Sequence, residues 1–248
     1  MKMKFVAAAL LGLALAPAAH ATTKAVFDGI ADGRNSFDAT VAAGNGTVKV
    51  DTWDGTLSGT SVDRGDYTIS RNDGSSFATT AYGSLSGTAM VINPAGGGSD
   101  PRTDPMDYFA SGITFVFDEG VNAFGFEVGD WATCCMNPTT DLFISFDGGA
   151  PILVASASDY DDGLFPSQTF GYLVNEIFLA AFDDTGTFST VSFWGNGIGE
   201  YLVAGGEIRY GAIDKGSLPS EVPVPAAGLL LAGGVGAFGL LRRRHRAA

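Results

Sequence analysis

Histidine is nearly missing from this 248-residue chain: there are two, His20 and His245, one near each end. Residues 22–221 have none. A domain built from that stretch cannot carry a Ser-His-Asp or Cys-His catalytic group, and it cannot hold zinc through imidazole. Cysteine is equally scarce. Cys134 and Cys135 are the only two, and they are neighbours. They cannot staple distant parts of a fold. They can close a strained vicinal disulfide that stiffens a loop, bond to another chain, or stay reduced. Basic residues are few, 14 against 27 acidic. Six of the 14 lie in the two ends, so residues 22–221 carry eight against 27, a net charge of −19. Such a surface repels nucleic acid and anionic lipid and attracts divalent cations. No phosphate-binding glycine motif occurs: Gly96-Gly97-Gly98 leads into Ser-Asp-Pro, with no lysine. Long amphipathic helical patterns are almost lacking too, which points away from a helical fold.

The ends have their own logic. Lys2 and Lys4 precede an apolar stretch from Phe5 to Ala16, and Ala19-His20-Ala21 is a small-x-small cleavage site. Residues 1–21 therefore read as a secretory signal peptide, handled by the Sec translocon, with the mature chain beginning near Thr22. At the other end, Val222-Pro223-Val224-Pro225-Ala226-Ala227 opens a stretch with no charge up to Leu241. A basic cluster, Arg242, Arg243, Arg244 and Arg246, closes it. Twenty residues as helix rise roughly 30 Å, about one hydrocarbon core; the strictly helical part, 226–241, is a marginal span. The arginines would stay in the cytoplasm.

This tripartite tail, residues 221–248, resembles the VPLPA variant of the PEP-CTERM sorting signal of exported Gram-negative proteins. Val222, Pro223, Pro225, Ala226, the glycine-rich apolar run and the arginine cluster match it, while Val224 stands where leucine is usual. The resemblance implies an exosortase-type membrane transpeptidase as partner, transient anchoring in the inner membrane, cleavage near the motif, and delivery to the cell surface or matrix. The family's association with extracellular polysaccharide implies a role in biofilm. The alternative is an ordinary C-terminal anchor.

Residues 22–220 fit one domain, with a loop or sub-boundary near 93–106. Short period-2 runs separated by turn residues predict an all-β antiparallel sandwich. The first half is polar: Val48, Val50 and Thr52 alternate, then Tyr67 with Ile69, then Met90 with Ile92. The second half is clearer. Ile113, Phe115 and Phe117 point inward before a turn at Glu119-Gly120. Phe124, Phe126 and Val128 follow, with Glu127 on the other face. Leu142, Ile144 and Phe146 run into an Asp147-Gly148-Gly149 hairpin. Residues 173–182 suit a short helix or a strand. The strand order, and Gly120-Val-Asn-Ala-Phe-Gly-Phe-Glu127 in particular, resembles the jelly-roll domains of PEP-CTERM proteins.

Three kinds of chemistry can be placed on this scaffold. Calcium prefers carboxylates in irregular loops. Asp159, Asp161 and Asp162 form the first candidate cluster, Asp100, Asp104 and Asp107 a second, and Asp183 with Asp184 a third. None has the spacing of a known calcium loop; the alternative is a solvated acidic turn. Carbohydrate binding would use Trp131 beside Asp130, or Trp194 before Gly195-Asn196-Gly197, with Trp53 similarly placed. The alternative is core packing. Glycoside hydrolysis needs two facing carboxylates, and Glu127, Glu176, Glu200 and Glu207 are available. The leading expectation is a non-enzymatic exported protein, with a carbohydrate-binding module next and a polysaccharide hydrolase third.

The tail reading has a direct test. Replacing Pro223 and Pro225 with alanine should leave the protein uncleaved in the membrane fraction, seen as an unshifted intact mass. Normal release of that variant would count against recognition of the motif.

Overall fold

The computed structural model describes residues 22–93, 104–133, 140–196 and 201–219. The leader, the tail, Cys134, Cys135 and Glu200 lie outside them. Among the described residues no helix is long and apolar enough to cross a membrane.

The chain opens with β1 (Thr23–Gly29), α1 (Ile30–Ala43) and β2 (Lys49–Thr52). Short strands follow: β3 (Ser58–Gly59), β4 (Ser61–Asp63), β5 (Tyr67–Arg71), β6 (Phe77–Ala81) and β7 (Thr88–Ile92). A 3-10 turn, Pro105–Ser111, leads into β8 (Ile113–Val121) and β9 (Ala123–Gly129). Then come β10 (Asp141–Phe146), β11 (Ile152–Ser156), β12 (Phe165–Pro166) and β13 (Leu173–Val174). The chain's last strands are β14 (Glu176–Asp183), β15 (Phe188–Gly195) and β16 (Leu202–Gly211).

Two antiparallel sheets face each other. The larger runs β1-β14-β9-β16-β7-β6-β3, with β2 also on β16; the smaller runs β11-β10-β15-β8-β5-β4. β12 and β13 pair alone. Strands from before and after residues 94–103 interleave in both sheets, so the polar first half shares one body with the second.

The main core lies between the sheets and is built on phenylalanine. Phe126 of β9 meets Phe124, Phe115 of β8 and Phe193 of β15, with ring centroids 5.5, 6.1 and 4.8 Å apart. These rings come from alternate strand positions, which the pleat directs to one face. The β10–β11 hairpin turns through Asp147 and Gly148, both with positive φ, as a tight turn of twisted strands requires.

Sequence and structure part company in three places. The chain does not turn at Glu119-Gly120. It continues in β8 to Val121 and crosses between sheets at Asn122, whose buried amide holds Gly186 O, Ile213 O and Ile213 N–H. Val50 is half exposed, so β2 does not alternate as expected. Of the two alternatives for residues 173–182 the strand holds, as β13 and β14 parted at Asn175. The larger departure is α1, a 14-residue helix in a stretch with little helical patterning. Its buried positions are Ile30, Gly33, Phe37, Thr40 and Val41. Phe37 and Val41 pack on Phe178, Phe182 and Ala123 on the outer face of the large sheet. Gly33 permits the close approach: a Cβ there would stand 2.8 Å from Phe178 Cβ and 2.9 Å from its carbonyl oxygen.

Phe126→Ala should remove about 3–5 kcal/mol from the unfolding free energy, because the cavity opens among three other rings. Urea denaturation checks this. A loss below about 1 kcal/mol would mean that the ring cluster is not the core.

Candidate functional site

The outer face of the large sheet carries an unusual set of polar side chains. Glu127 projects from β9, Glu176 from β14, and Glu207 and Arg209 from β16. Glu127 is fully buried, and Glu176 nearly so. Helix α1 lies over them. Its Arg34 guanidinium pairs with Glu127 and reaches Glu207 at 3.1 Å. Arg209 pairs with Asp38 of α1 at 2.5 Å and with Glu207 at 2.7 Å. Burial pulls Arg34 below the ordinary arginine value; Glu207 opposes this, Arg209 adds to it, and Asp38 opposes it.

Two loops complete the layer. Ser86 N–H donates to Glu127 at 2.7 Å, and Ser84 N–H to Glu176 at 2.9 Å. The Ser84 hydroxyl also bonds Glu176, and Arg34 donates to the Ser86 hydroxyl. From the turn between β12 and β13, Gln168 Nε2 donates to Ser84 O, while its Oε1 accepts from Arg34 at 3.3 Å. A bulge in β16 makes room. Gly206 sits at φ +68°, and a Cβ there would run into the Glu127 carboxylate. Only glycine meets both demands.

Above this layer the same turn ends in an aromatic tip. Phe170 and Tyr172 stack with centroids 5.3 Å apart and planes within 5° of parallel. Tyr172 is 63% exposed, Leu173 55% and Phe170 38%. The turn is closed from within. Ser167 Oγ accepts the N–H groups of Thr169 and Phe170 at 3.2 and 3.0 Å, and it bonds Ser84 Oγ at 3.1 Å. Two rings are thus held out to solvent on a base wired to the sheet.

The residues expected from sequence sit elsewhere. Trp131 and Trp194 have no exposed surface, nor has Trp53. Each indole N–H has an internal acceptor: Thr140 O at 3.2 Å, Pro105 O at 2.7 Å and Tyr67 Oη at 2.9 Å. Trp194 stacks on Phe143 beneath the 105–111 turn. None of these indoles presents a face to a sugar, which corrects the expectation for Trp131 and Trp194. The calcium cluster does not form either. Asp159 Oδ1 caps the N–H groups of Asp161 and Asp162 at 3.0 and 3.3 Å, and Asp162 caps Ser158 at 2.7 Å. These carboxylates shape their own exposed turn. Asp104 caps Met106, and Asp183 caps Thr185. Among the described residues no three His, Cys, Asp or Glu groups converge as a metal set. Of the four glutamates, Glu127 and Glu207 share one arginine and Glu176 is held by Ser84.

The aromatic tip went unread in the sequence. Its signal was present: two aromatics two residues apart, Phe170-Gly171-Tyr172, in a turn otherwise made of Ser, Gln and Thr. A concavity of about 270 Å³ lies between Lys49, Asp66, Phe117, Glu119 and Tyr210. Lys49 bridges Asp66 and Glu119 across it at 2.9 and 3.1 Å. Burial, then the bond to Asp66, pushes the Tyr210 phenol up to about 12.

No family model matches the chain, and no curated protein matches it. Among solved structures it is similar to two substituted forms of CBM29-2, a family 29 carbohydrate-binding module. One is 10% identical, over 71% of this chain and 99% of that chain, with a TM-score of 0.31. The other is 12% identical, over 66% and 92%, again at 0.31. That likeness is too distant to transfer a topology, a site or a ligand.

Arg34→Met strands the buried Glu127 carboxylate and should cost about 3–5 kcal/mol of stability. Adding Glu127→Gln should recover part of that loss. Urea denaturation of the two single variants and the double closes the cycle. Strict additivity would show that the pair does not act as a unit.

Proposed function

We propose that this chain is an exported, non-enzymatic β-sandwich, jelly-roll-like in its connections, that holds a neutral polysaccharide on the Phe170–Tyr172 tip. The tip carries the reading. A pyranose ring has an apolar face of C–H groups and a rim of hydroxyls. Parallel exposed rings suit the face, and the exposed Thr169 beside them in the chain suits the rim. A platform whose backbone is already tied down loses little freedom on binding, which favours affinity. Neutral sugar fits the charge, since a domain at net −19 repels an anionic polymer.

The non-catalytic reading is supported by the state of the carboxylates. A glycosidase needs one carboxyl group to give a proton and another to attack or activate water. Glu127 is paired with Arg34, Glu207 is held between Arg34 and Arg209, and Glu176 is closed over by Ser84. Delivery rests on the ends of the sequence. The Sec translocon would take the leader, and an exosortase-type transpeptidase would act at Val222-Pro223-Val224-Pro225-Ala226. The mature domain would then sit at the cell surface or in the matrix, within reach of extracellular polysaccharide.

Tyr172→Ala and Phe170→Ala should each weaken binding to a neutral polysaccharide gel at least about tenfold, or ~1.4 kcal/mol. Retardation in affinity electrophoresis reads this. The thermal midpoint of Tyr172→Ala should barely move, because the side chain is mostly outside. Unchanged retardation by both variants, or no retardation of the parent on any glycan, would sink the assignment.

A further inference from the structure

Asp184 follows β14 and is fully buried. Among the described residues no lysine or arginine pairs with it. Its Oδ1 accepts the backbone N–H of Thr22 at 2.6 Å, and its Oδ2 accepts that of Leu218 at 2.8 Å. The backbone adds to the junction: Asp184 N–H donates to Thr22 O at 3.2 Å, and Gly216 N–H to Asp184 O at 3.1 Å. One buried carboxylate therefore joins the start of the sandwich to its end. A buried carboxylate met only by neutral amides is costly to desolvate.

Thr22 is also where the sequence places the first residue after leader removal. We propose that Asp184 is a built receptor for the α-ammonium group created when the Ala21–Thr22 bond is cut. Water is the co-reactant. Its hydroxyl joins the Ala21 carbonyl carbon as the C–N bond breaks. The leader leaves as a carboxylate, and Thr22 nitrogen becomes an ammonium with three protons. That nitrogen already lies within hydrogen-bonding distance of Oδ1, so the neutral contact becomes a charge-assisted one, roughly twice as strong. The precursor lacks this charge at Thr22. Leader cleavage then tightens the fold that it releases. The inference rests on the leader reading and is independent of the glycan tip.

Neighbouring charges are engaged elsewhere. On β1, Lys24 donates to Thr40 at 2.9 Å and lies over the Phe182 ring. At the end of β14, Asp183 caps Thr185. After β16, Asp214 takes the Asn45 amide at 2.9 Å, and Lys215 is exposed. β11, which borders β1, has no charged residue. The pH sign follows. A free α-amine titrates at about 7.7–8.0. Pairing with Asp184 raises that value in the folded state. Its stabilisation is then complete below the free value and is lost as pH rises through the raised one.

The test compares two chains in mild detergent, both ending at Ala248. One starts with a free Thr22; the other keeps Ala21, which carries the same charge one residue farther out. Near pH 6.5 the Thr22 chain should melt about 4 °C or more higher. The gap should close as pH rises towards 10, and Asp184→Asn should erase it. Equal midpoints at pH 6.5, or a gap that persists unchanged at pH 10, would overturn the receptor. The second outcome decides the matter even where Asp184→Asn fails to fold. The intact mass of the exported protein decides the processing step separately: any start other than Thr22 overturns it.

Discussion

The Arg34 guanidinium fixes the outer layer of this molecule. It takes carboxylates from two adjacent strands, Glu127 of β9 and Glu207 of β16, and it touches Ser86 and Gln168 on two loops. A planar cation with several fixed donors can relate four segments at once; a lysine could not. The layer's contribution to stability need not be large, since desolvating an ion pair offsets much of its attraction. What it supplies is position. Helix α1 could slide over a purely apolar sheet face, and the β12–β13 turn could hinge on two short strands. Arg34 and Glu127 remove both freedoms. The β16 bulge at Gly206 belongs to the same arrangement, because it leaves space for the carboxylate that Arg34 needs.

The inner faces of the sandwich were legible, and the outer ones were not. Ile113, Phe115 and Phe117, then Phe124, Phe126 and Val128, then Leu142, Ile144 and Phe146, all point into the core as their period-2 spacing says. That signal is local: the pleat alone decides it. Helix α1 sends no such signal. Its apolar contacts are few, and one of its contact positions is a glycine, so its stability comes from the sheet beneath it rather than from its own pattern. Glu127 was placed on the face opposite the phenylalanines, correctly. That the face would be covered depended on a segment some ninety residues earlier in the chain, which no window of sequence reports. The crossing at Asn122 was hidden for a related reason. Glu119-Gly120 looks like a turn, but β8 pairs on to Val121, and the amide of Asn122 is satisfied only by distant backbone.

The tryptophans show how a residue type can mislead about a site. Loop-edge indoles beside Asp or Asn read as a sugar platform. An indole is also the largest apolar group available, with one N–H that must find an acceptor when buried. Tyr67, Thr140 and Pro105 each supply that acceptor, so all three indoles pack inside. The rings left outside are smaller ones, Phe27, Tyr160, Phe170, Tyr172 and Tyr201 among the described residues, and of these Phe170 and Tyr172 stack on each other in one turn. Here it is exposure, set by tertiary packing, that separates core aromatics from surface aromatics.

The few basic residues explain the rest of the surface. Arg34, Lys49, Arg64 and Arg209 are in ion pairs with carboxylates, Arg71 donates to Val91 O, and Lys24 donates to Thr40. The described domain therefore uses most of its cations internally, to fasten strand to strand and helix to sheet. Much of the acidic excess stays at the surface, while Glu176 and Asp184 are buried on neutral donors. A fold stabilised this way keeps its solubility through like charge, yet it has little cationic surface with which to attract a polyanion. The braced aromatic turn is one uncharged part of the surface, and its base is tied to a layer in which Arg34 and Arg209 answer Glu127, Glu207 and Asp38 while Glu176 is held by neutral donors.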